Sequence, residues 1–175
     1  MGKRSDFDRE QLDFYRTPRN AVLPLVNHFH ARYEFCEPCA GDGALITHLE
    51  EFGFRCVSAF DVKPQGEGID HHDASFMTEK DLKGAEMIIT NPPWDRPALH
   101  QIIERCIELR PSWLLFDADW MHTKQASPYL KYCSDIISIG RVKWIEDSTT
   151  AGKDNCCWYK FTNEWIAGTT KFWGR

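Results

Sequence analysis

The chain has 175 residues, of which 42% are hydrophobic, 13% aromatic and 27% charged, a composition that argues against an intrinsically disordered protein. This length is typical of one domain with a continuous core, so we expect a single domain over residues 1–175. The formal net charge of -5 excludes an overall basic surface, and no apolar run is long enough to predict a membrane span or signal peptide. We therefore expect a cytoplasmic protein.

Short apolar runs alternate with helical patterns, which predicts an α/β fold in which helices cover both faces of a mostly parallel sheet. Helices are predicted over residues 19–32, 44–52 and 97–109. Strands are predicted over residues 33–36, 55–60, 86–90 and 113–116, and an antiparallel pair over residues 135–145 and 155–161. We expect this pair at the edge of the sheet, with Trp144 and Trp158 in the core.

A glycine turn connects the first predicted strand to the next helix. Gly41 and Gly43 allow close approach of a ligand to the backbone, and the helix that follows presents free amide hydrogens. Such a turn can also serve only to pack a helix on a sheet. A second feature favours a ligand, because Asp61 ends the next strand, where a carboxylate can receive the ribose hydroxyls of a nucleoside cofactor.

The tetrad Asn91-Pro92-Pro93-Trp94 follows the strand predicted over residues 86–90. The prolines stiffen the backbone and leave carbonyl groups available, while the asparagine oxygen can accept a hydrogen bond from an amino group. Trp94 offers a flat face on which a nucleobase can stack. Because the carboxyl ends of parallel strands meet at one edge, we expect Gly41, Asp61 and Asn91 around a single crevice.

The seven cysteines do not predict a disulfide framework in a cytosolic chain. Cys36 and Cys39 have the spacing of a metal site, and Cys156 and Cys157 could complete it. The glycine turn explains Cys39 better, and we predict no metal. Five basic residues near the amino terminus form either a local nucleic-acid surface or a solvated face: Lys3, Arg4, Arg9, Arg16 and Arg19.

These motifs occur in the order found in class I, S-adenosylmethionine-dependent amino-methyltransferases, and the chain resembles in particular the N6-adenine DNA methyltransferases with an [ND]PP[YFW] motif. The resemblance covers residues 15–117 with specific motifs. It implies a Rossmann-like, seven-stranded sheet and S-adenosyl-L-methionine as the cofactor. It also implies that the tetrad Asn91, Pro92, Pro93 and Trp94 is catalytic. The cofactor residues that it implies are Tyr15, Thr17, Pro18, Glu37, Ala40, Gly41, Gly43, Asp61, Asp73 and Asn91, with Asp73 binding the adenine ring.

The expected reaction is methyl transfer to an exocyclic amino group, with adenine N6 in DNA as the first candidate substrate. RNA adenine and a protein glutamine amide remain alternatives, and so does a catalytically silent cofactor-binding module in a larger complex. We expect no separate target-recognition domain, so recognition is expected from the loops over residues 95–97, 119–127 and 146–154, a homodimer or a partner subunit. By this resemblance, such a short enzyme suits a phage or mobile element.

Overall fold

One mixed sheet organises the chain, whose computed structural model describes residues 15–144, 152–164 and 169–175. Eight strands are hydrogen-bonded in the order β3-β2-β1-β4-β5-β7-β6-β8. Strand β7 is antiparallel to both of its neighbours, and the other pairings are parallel. The bounds are β1 Glu34–Glu37, β2 Arg55–Asp61, β3 Asp70–His71, β4 Met87–Thr90, β5 Ser112–Asp117, β6 Cys133–Arg141, β7 Asn155–Phe161 and β8 Lys171–Trp173.

Helices cover both faces of this sheet. They are α1 Arg19–His28, α2 Ala44–Glu51, α3 Arg96–Leu109 and the single turn α4 Ser127–Leu130. Within the described ranges, three short 3₁₀ turns lie at Ala74–Phe76, Ala118–His122 and Lys124–Ala126. Pro24 is the sixth of the ten residues of α1, and Asp95 begins α3 by accepting a hydrogen bond from the Ala98 amide.

Two apolar cores form because strand residues alternate between the faces of the sheet. On one face, Leu114 and Tyr159 pack with α3. On the other, Trp113 and Trp158 pack with α1 and α2. The indole of the fully buried Trp158 also donates to the Ala21 carbonyl at 2.8 Å, which fixes α1 on the sheet. The predicted α/β fold with helices on both faces is therefore confirmed.

Two details of the predicted sheet are wrong. The described residues form eight strands and not seven. The antiparallel β6–β7 pair does not form the edge of the sheet because β8 pairs with β6 outside it. The three residues of β8 are all exposed, so they lack the alternating pattern that reveals a strand from sequence. Trp144 is also misplaced by the prediction: β6 ends at Arg141, and this indole is only half-buried.

Among the residues that the structure describes, no helix has the length and apolar character needed to cross a membrane.

Candidate functional site

A cavity of about 770 Å³ opens at the carboxyl ends of β1, β2 and β4, a volume within the range of small-molecule sites. Its wall includes the glycine turn after β1, Asp61 at the end of β2 and Asn91 after β4. The chain segment before α1 contributes Tyr15, Arg16 and Thr17. The predicted convergence of Gly41, Asp61 and Asn91 on one crevice is therefore observed.

The glycine turn is hydrogen-bonded to Asp61 at the end of the neighbouring strand β2. The Gly41 amide donates to Asp61 Oδ2 at 2.9 Å, and the Lys63 amide donates to Asp61 Oδ1 at 2.7 Å. Gly41 has φ 54°, and Gly43, which begins α2, has φ 83°, so both occupy the left-handed region that favours glycine. Each carboxylate oxygen has a second lone pair, so Asp61 can still accept hydrogen bonds from a ligand.

Glu37 is a buried acid in the cavity wall. Its side chain is 1% exposed, and Oε1 accepts a hydrogen bond from the Cys39 amide at 3.3 Å. Oε2 is also buried and has no hydrogen-bond partner among the described residues. Burial raises the pKa of Glu37 from about 4.5 to about 8, an effect that the nearby Thr90 hydroxyl and the Cys39 amide partly offset and the Asp61 carboxylate reinforces. The protonated form of Glu37 is therefore favoured at neutral pH.

A third carboxylate lies at another side of the cavity, after β3. Asp73 Oδ1 accepts hydrogen bonds from the Ser75 amide at 2.9 Å and the Ser75 hydroxyl at 2.5 Å. These bonds hold the side chain in place, and Oδ2 makes no hydrogen bond within the described ranges. Val62, which directly follows Asp61, lines the same cavity and is 49% exposed. An exposed apolar side chain in the wall suits a flat, apolar ligand surface.

The Asn91 amide has its orientation fixed by the chain before α1. Its Nδ2 donates to the Tyr15 carbonyl at 3.3 Å and to Thr17 Oγ1 at 3.1 Å. A carbonyl can only accept, so the nitrogen must face Tyr15 and the oxygen must point elsewhere. Asn91 Oδ1 makes no hydrogen bond to any described residue, and the residue lines the cavity. An acceptor of fixed orientation is thus available at the cavity.

Trp94 lies beside the cavity and not in its wall. Its indole nitrogen donates to the Leu115 carbonyl of β5 at 3.3 Å, which fixes the ring over the sheet. The ring packs edge-to-face with Trp144, with centroids 5.6 Å apart, and Trp144 in turn lies 6.4 Å from Tyr15. Three aromatic rings from distant parts of the sequence therefore border the Asn91 side of the cavity.

The predicted site residues divide between the cavity wall and its supports. Nine line the cavity: Tyr15, Thr17, Glu37, Ala40, Gly41, Asp61, Asp73, Asn91 and Pro93. Four lie outside the wall: Pro18, Gly43, Pro92 and Trp94. Of these, Pro18 and Gly43 precede the first turns of α1 and α2, and Pro92 is buried in the tetrad.

Other lining residues were not predicted from sequence. Lys63 and Gln65 follow β2, and Ala98, Gln101 and Ile102 face the cavity from α3. The helical spacing of the last three could have suggested one common face, but nothing in the sequence placed that face over the cavity. The predicted N-terminal basic surface is only partly described: Arg16 pairs with Asp42 at 3.1 Å and Arg19 with Glu51 at 3.0 Å, while Lys3, Arg4 and Arg9 lie outside the described residues.

The two cysteine pairs considered for a metal lie apart. Cys36 and Cys39 belong to β1 and the following turn, whereas Cys156 and Cys157 belong to β7, with β4 and β5 between. Burial raises the pKa of the Cys39 thiol well above its usual value, so the thiolate that a metal needs is disfavoured. Within residues 15–144, 152–164 and 169–175, no cluster of three His, Cys, Asp or Glu side chains could hold a metal ion.

The sequence matches no protein-family model and no curated protein.

Solved structures resemble the chain in fold at low sequence identity. A Pyrococcus horikoshii protein assigned as an RNA methyltransferase superposes with a TM-score of 0.64 at 14% identity, covering 86% of this chain and 87% of that one. A modification subunit assigned to a type I restriction enzyme from Vibrio vulnificus gives 0.57 at 12% identity, covering 92% and 47%. A Listeria monocytogenes protein assigned as a class I S-adenosylmethionine-dependent methyltransferase gives 0.55 at 12% identity, covering 89% and 62%. The chain has the Rossmann-like fold of class I methyltransferases.

Proposed function

We propose that this protein transfers a methyl group from S-adenosyl-L-methionine to the exocyclic amino group of a nucleobase, with adenine N6 in DNA as the first candidate. The observation that carries the proposal is Asn91, whose amide nitrogen is held by Tyr15 and Thr17 so that its oxygen remains as an acceptor at the cavity. An amino group is the donor that such an acceptor suits. The fold, shared with proteins assigned as RNA and restriction-system methyltransferases, supports this reading.

The polar groups of the cavity fit the cofactor. The unpartnered Oε2 of Glu37 suits the ammonium group of the methionine part, because a buried polar atom without a partner is destabilising until it gains one. Asp61 suits the ribose hydroxyls, since both of its oxygens keep a lone pair. Asp73 Oδ2 suits the adenine amino group, and Val62 the adenine face. A volume of about 770 Å³ accommodates a molecule of this size.

The chain's task in the reaction is positioning. S-adenosyl-L-methionine supplies an electrophilic methyl group when it is bound. Asn91 Oδ1 and the Pro92 carbonyl accept the two hydrogens of the target amine, which directs the nitrogen lone pair towards the cavity. Both acceptors also stabilise the positive charge that develops on the nitrogen, and the excess proton leaves to solvent. Trp94 and its neighbour Trp144 present aromatic surface to the base beside this position.

A labelled-methyl assay tests the proposed function. Purified protein is incubated with methyl-labelled cofactor and, separately, with DNA, RNA and protein pools, and cofactor affinity is measured by calorimetry. We expect label in DNA at the N6 position of adenine. Label in RNA alone would move the substrate to RNA, and label in protein would point to a glutamine amide. Cofactor binding without transfer to any pool would favour the silent binding module and contradict the proposal.

Asp61→Ala should weaken cofactor binding about 10- to 100-fold, because hydrogen bonds to a charged group contribute about 1.5 to 3 kcal/mol. The substitution also frees the Gly41 amide from Oδ2 and so loosens the turn. Calorimetric titration with the cofactor measures the change. Asp70→Ala is the matched control, since this carboxylate lies on the adjacent β3 and outside the cavity wall. Equal dissociation constants for Asp61→Ala and the parent protein would remove Asp61 from the cofactor site.

A further inference from the structure

Four exposed cations lie at the end of the sheet where β4 ends and Asn91 follows. We call Arg141, Lys143, Lys153 and Arg175 the basic rim. Strand β6 is antiparallel to β7 and β7 is antiparallel to β5, so β6 runs parallel to β5 and ends at the same edge. Strand β8 is parallel to β6 and ends there as well. The topology therefore gathers at one end of the sheet four cations from three segments: Arg141 and Lys143 after β6, Lys153 before β7 and Arg175 after β8.

Local contacts bring the members of the basic rim together. Arg141 pairs in register with Asn155, the first residue of β7. Lys153 comes two residues before β7 and therefore lies at the same end of the sheet as Arg141. The Gly152 amide donates to the Val142 carbonyl at 2.8 Å, which ties the segments that carry Lys153 and Lys143. The guanidinium of Arg175 packs directly on Gly140, which has no side chain and a φ of 74°. The sheet and its hydrogen bonds therefore position the backbone segments that carry these cations.

The charges of this edge divide into two regions. The cofactor side carries the carboxylates Asp42, Asp61 and Asp73. The basic rim carries the four cations, and among the described residues none of them forms an ion pair. Within the described ranges, one acid, Asp154, is adjacent in sequence to a rim cation, Lys153. Among the described residues, a protein with a net charge of -5 therefore concentrates four cations beside its proposed reaction site.

An aromatic ring connects the basic rim with the catalytic tetrad. Trp144 directly follows Lys143 and packs edge-to-face with Trp94 at 5.6 Å. Cations and aromatic rings in alternation suit a nucleic acid strand, whose phosphates bind the cations and whose bases stack on the rings. A protein glutamine amide needs neither feature.

We infer that the basic rim binds the phosphodiester backbone of the nucleic acid strand that carries the target base, and so directs that strand past Trp144 to Asn91. This inference rests on the proposed methyl transfer to a nucleobase. It places substrate binding on the β6–β8 side of the sheet, opposite the side where the acidic cavity wall disfavours phosphates. DNA and RNA share the backbone chemistry that the rim recognises, and the experiment distinguishes them.

The test compares two triple variants with the same change of charge. Arg141→Gln/Lys143→Gln/Lys153→Gln removes three rim cations. The control Lys80→Gln/Lys131→Gln/Lys171→Gln removes three exposed lysines: two lie before the amino ends of β4 and β6, and Lys171 is the first residue of β8. Binding of fluorescein-labelled single-stranded DNA and RNA oligonucleotides is measured by anisotropy from 50 to 200 mM salt. Calorimetry with S-adenosyl-L-methionine verifies that each variant keeps its cofactor site.

We expect the rim variant to bind the strand roughly tenfold or more weakly at low salt. The slope of the logarithm of the binding constant against the logarithm of the salt concentration should also become shallower by about 2, because each of the three lost phosphate contacts contributes about 0.7 on a single strand. Its KM for the strand should rise while kcat at saturation and cofactor affinity are unchanged. The control variant should retain parental binding. A preference of the parent protein for one strand type identifies the substrate class, and loss of that binding in the rim variant alone supports the rim.

Equal behaviour of the rim and control variants, with methyl transfer to nucleic acid intact in both, would overturn the rim and leave the proposed function standing. A parent protein that binds neither strand and labels only protein would overturn both.

Discussion

Asn91→Ala is expected to lower kcat for methyl transfer at least about 100-fold, the size of effect seen when one oriented polar group is removed from a reaction centre. The alanine cannot accept a hydrogen bond from the target amine, so the nitrogen lone pair is no longer directed towards the methyl donor. Cofactor affinity should change little, because Glu37, Asp61 and Asp73 carry the proposed contacts. Single-turnover transfer of labelled methyl groups and calorimetry with the cofactor measure the two effects separately.

Two further variants sharpen this test. Asn91→Asp keeps an acceptor oxygen but places a second oxygen against the Tyr15 carbonyl, where Nδ2 now donates, so an intermediate rate is expected. Asn163→Ala is the matched control, since Asn163 is exposed and outside the cavity wall. Parental rates in Asn91→Ala would show that the amide does not hold the reacting amine.

Glu37 should make the stability of the cofactor-free protein fall as pH rises from about 4.5 to about 8. Burial raises the pKa of the folded-state carboxyl to about 8, so in this window the folded protein holds a proton that the unfolded chain has released. The contribution is complete below the unfolded pKa and is lost as pH rises through the folded pKa. Its slope approaches about 1.4 kcal/mol per pH unit.

Urea denaturation at a series of pH values measures this dependence. Glu37→Gln should abolish most of the slope, because the amide cannot ionise, whereas Glu67→Gln, an exposed residue beyond β2, should keep it. Adding S-adenosyl-L-methionine should also reduce the slope, since an ammonium group beside Oε2 favours the ionised carboxylate. A pH dependence that is identical in Glu37→Gln and the parent would show that another group carries it.

The arrangement of the site could be predicted because it depends on strand direction alone. Gly41, Asp61 and Asn91 each follow a strand, and parallel strands bring such positions to one edge irrespective of side-chain detail. The sequence patterns revealed these strands clearly, since β1, β4 and β5 are buried on both faces. The convergence at the cavity follows from this simple geometry.

The contacts that refine the site could not be predicted, because they join residues far apart in sequence. Asn91 is held by Tyr15 and Thr17, 76 and 74 positions away. Trp94 was predicted to offer a flat face to a base, and nothing in the sequence indicated its hydrogen bond to Leu115, which depends on how β4 and β5 pair. The basic rim depends on β8, whose three exposed residues give no periodic signal.

The segment before α1 contacts both ends of the cavity. Its Tyr15 carbonyl and Thr17 hydroxyl hold the Asn91 amide, while Arg16 pairs with Asp42 in the glycine turn. Displacing this segment would free the Asn91 amide to rotate and would uncover the cavity at the same time. Movement of this segment would therefore affect both the access of a ligand to the cavity and the orientation of the Asn91 acceptor oxygen.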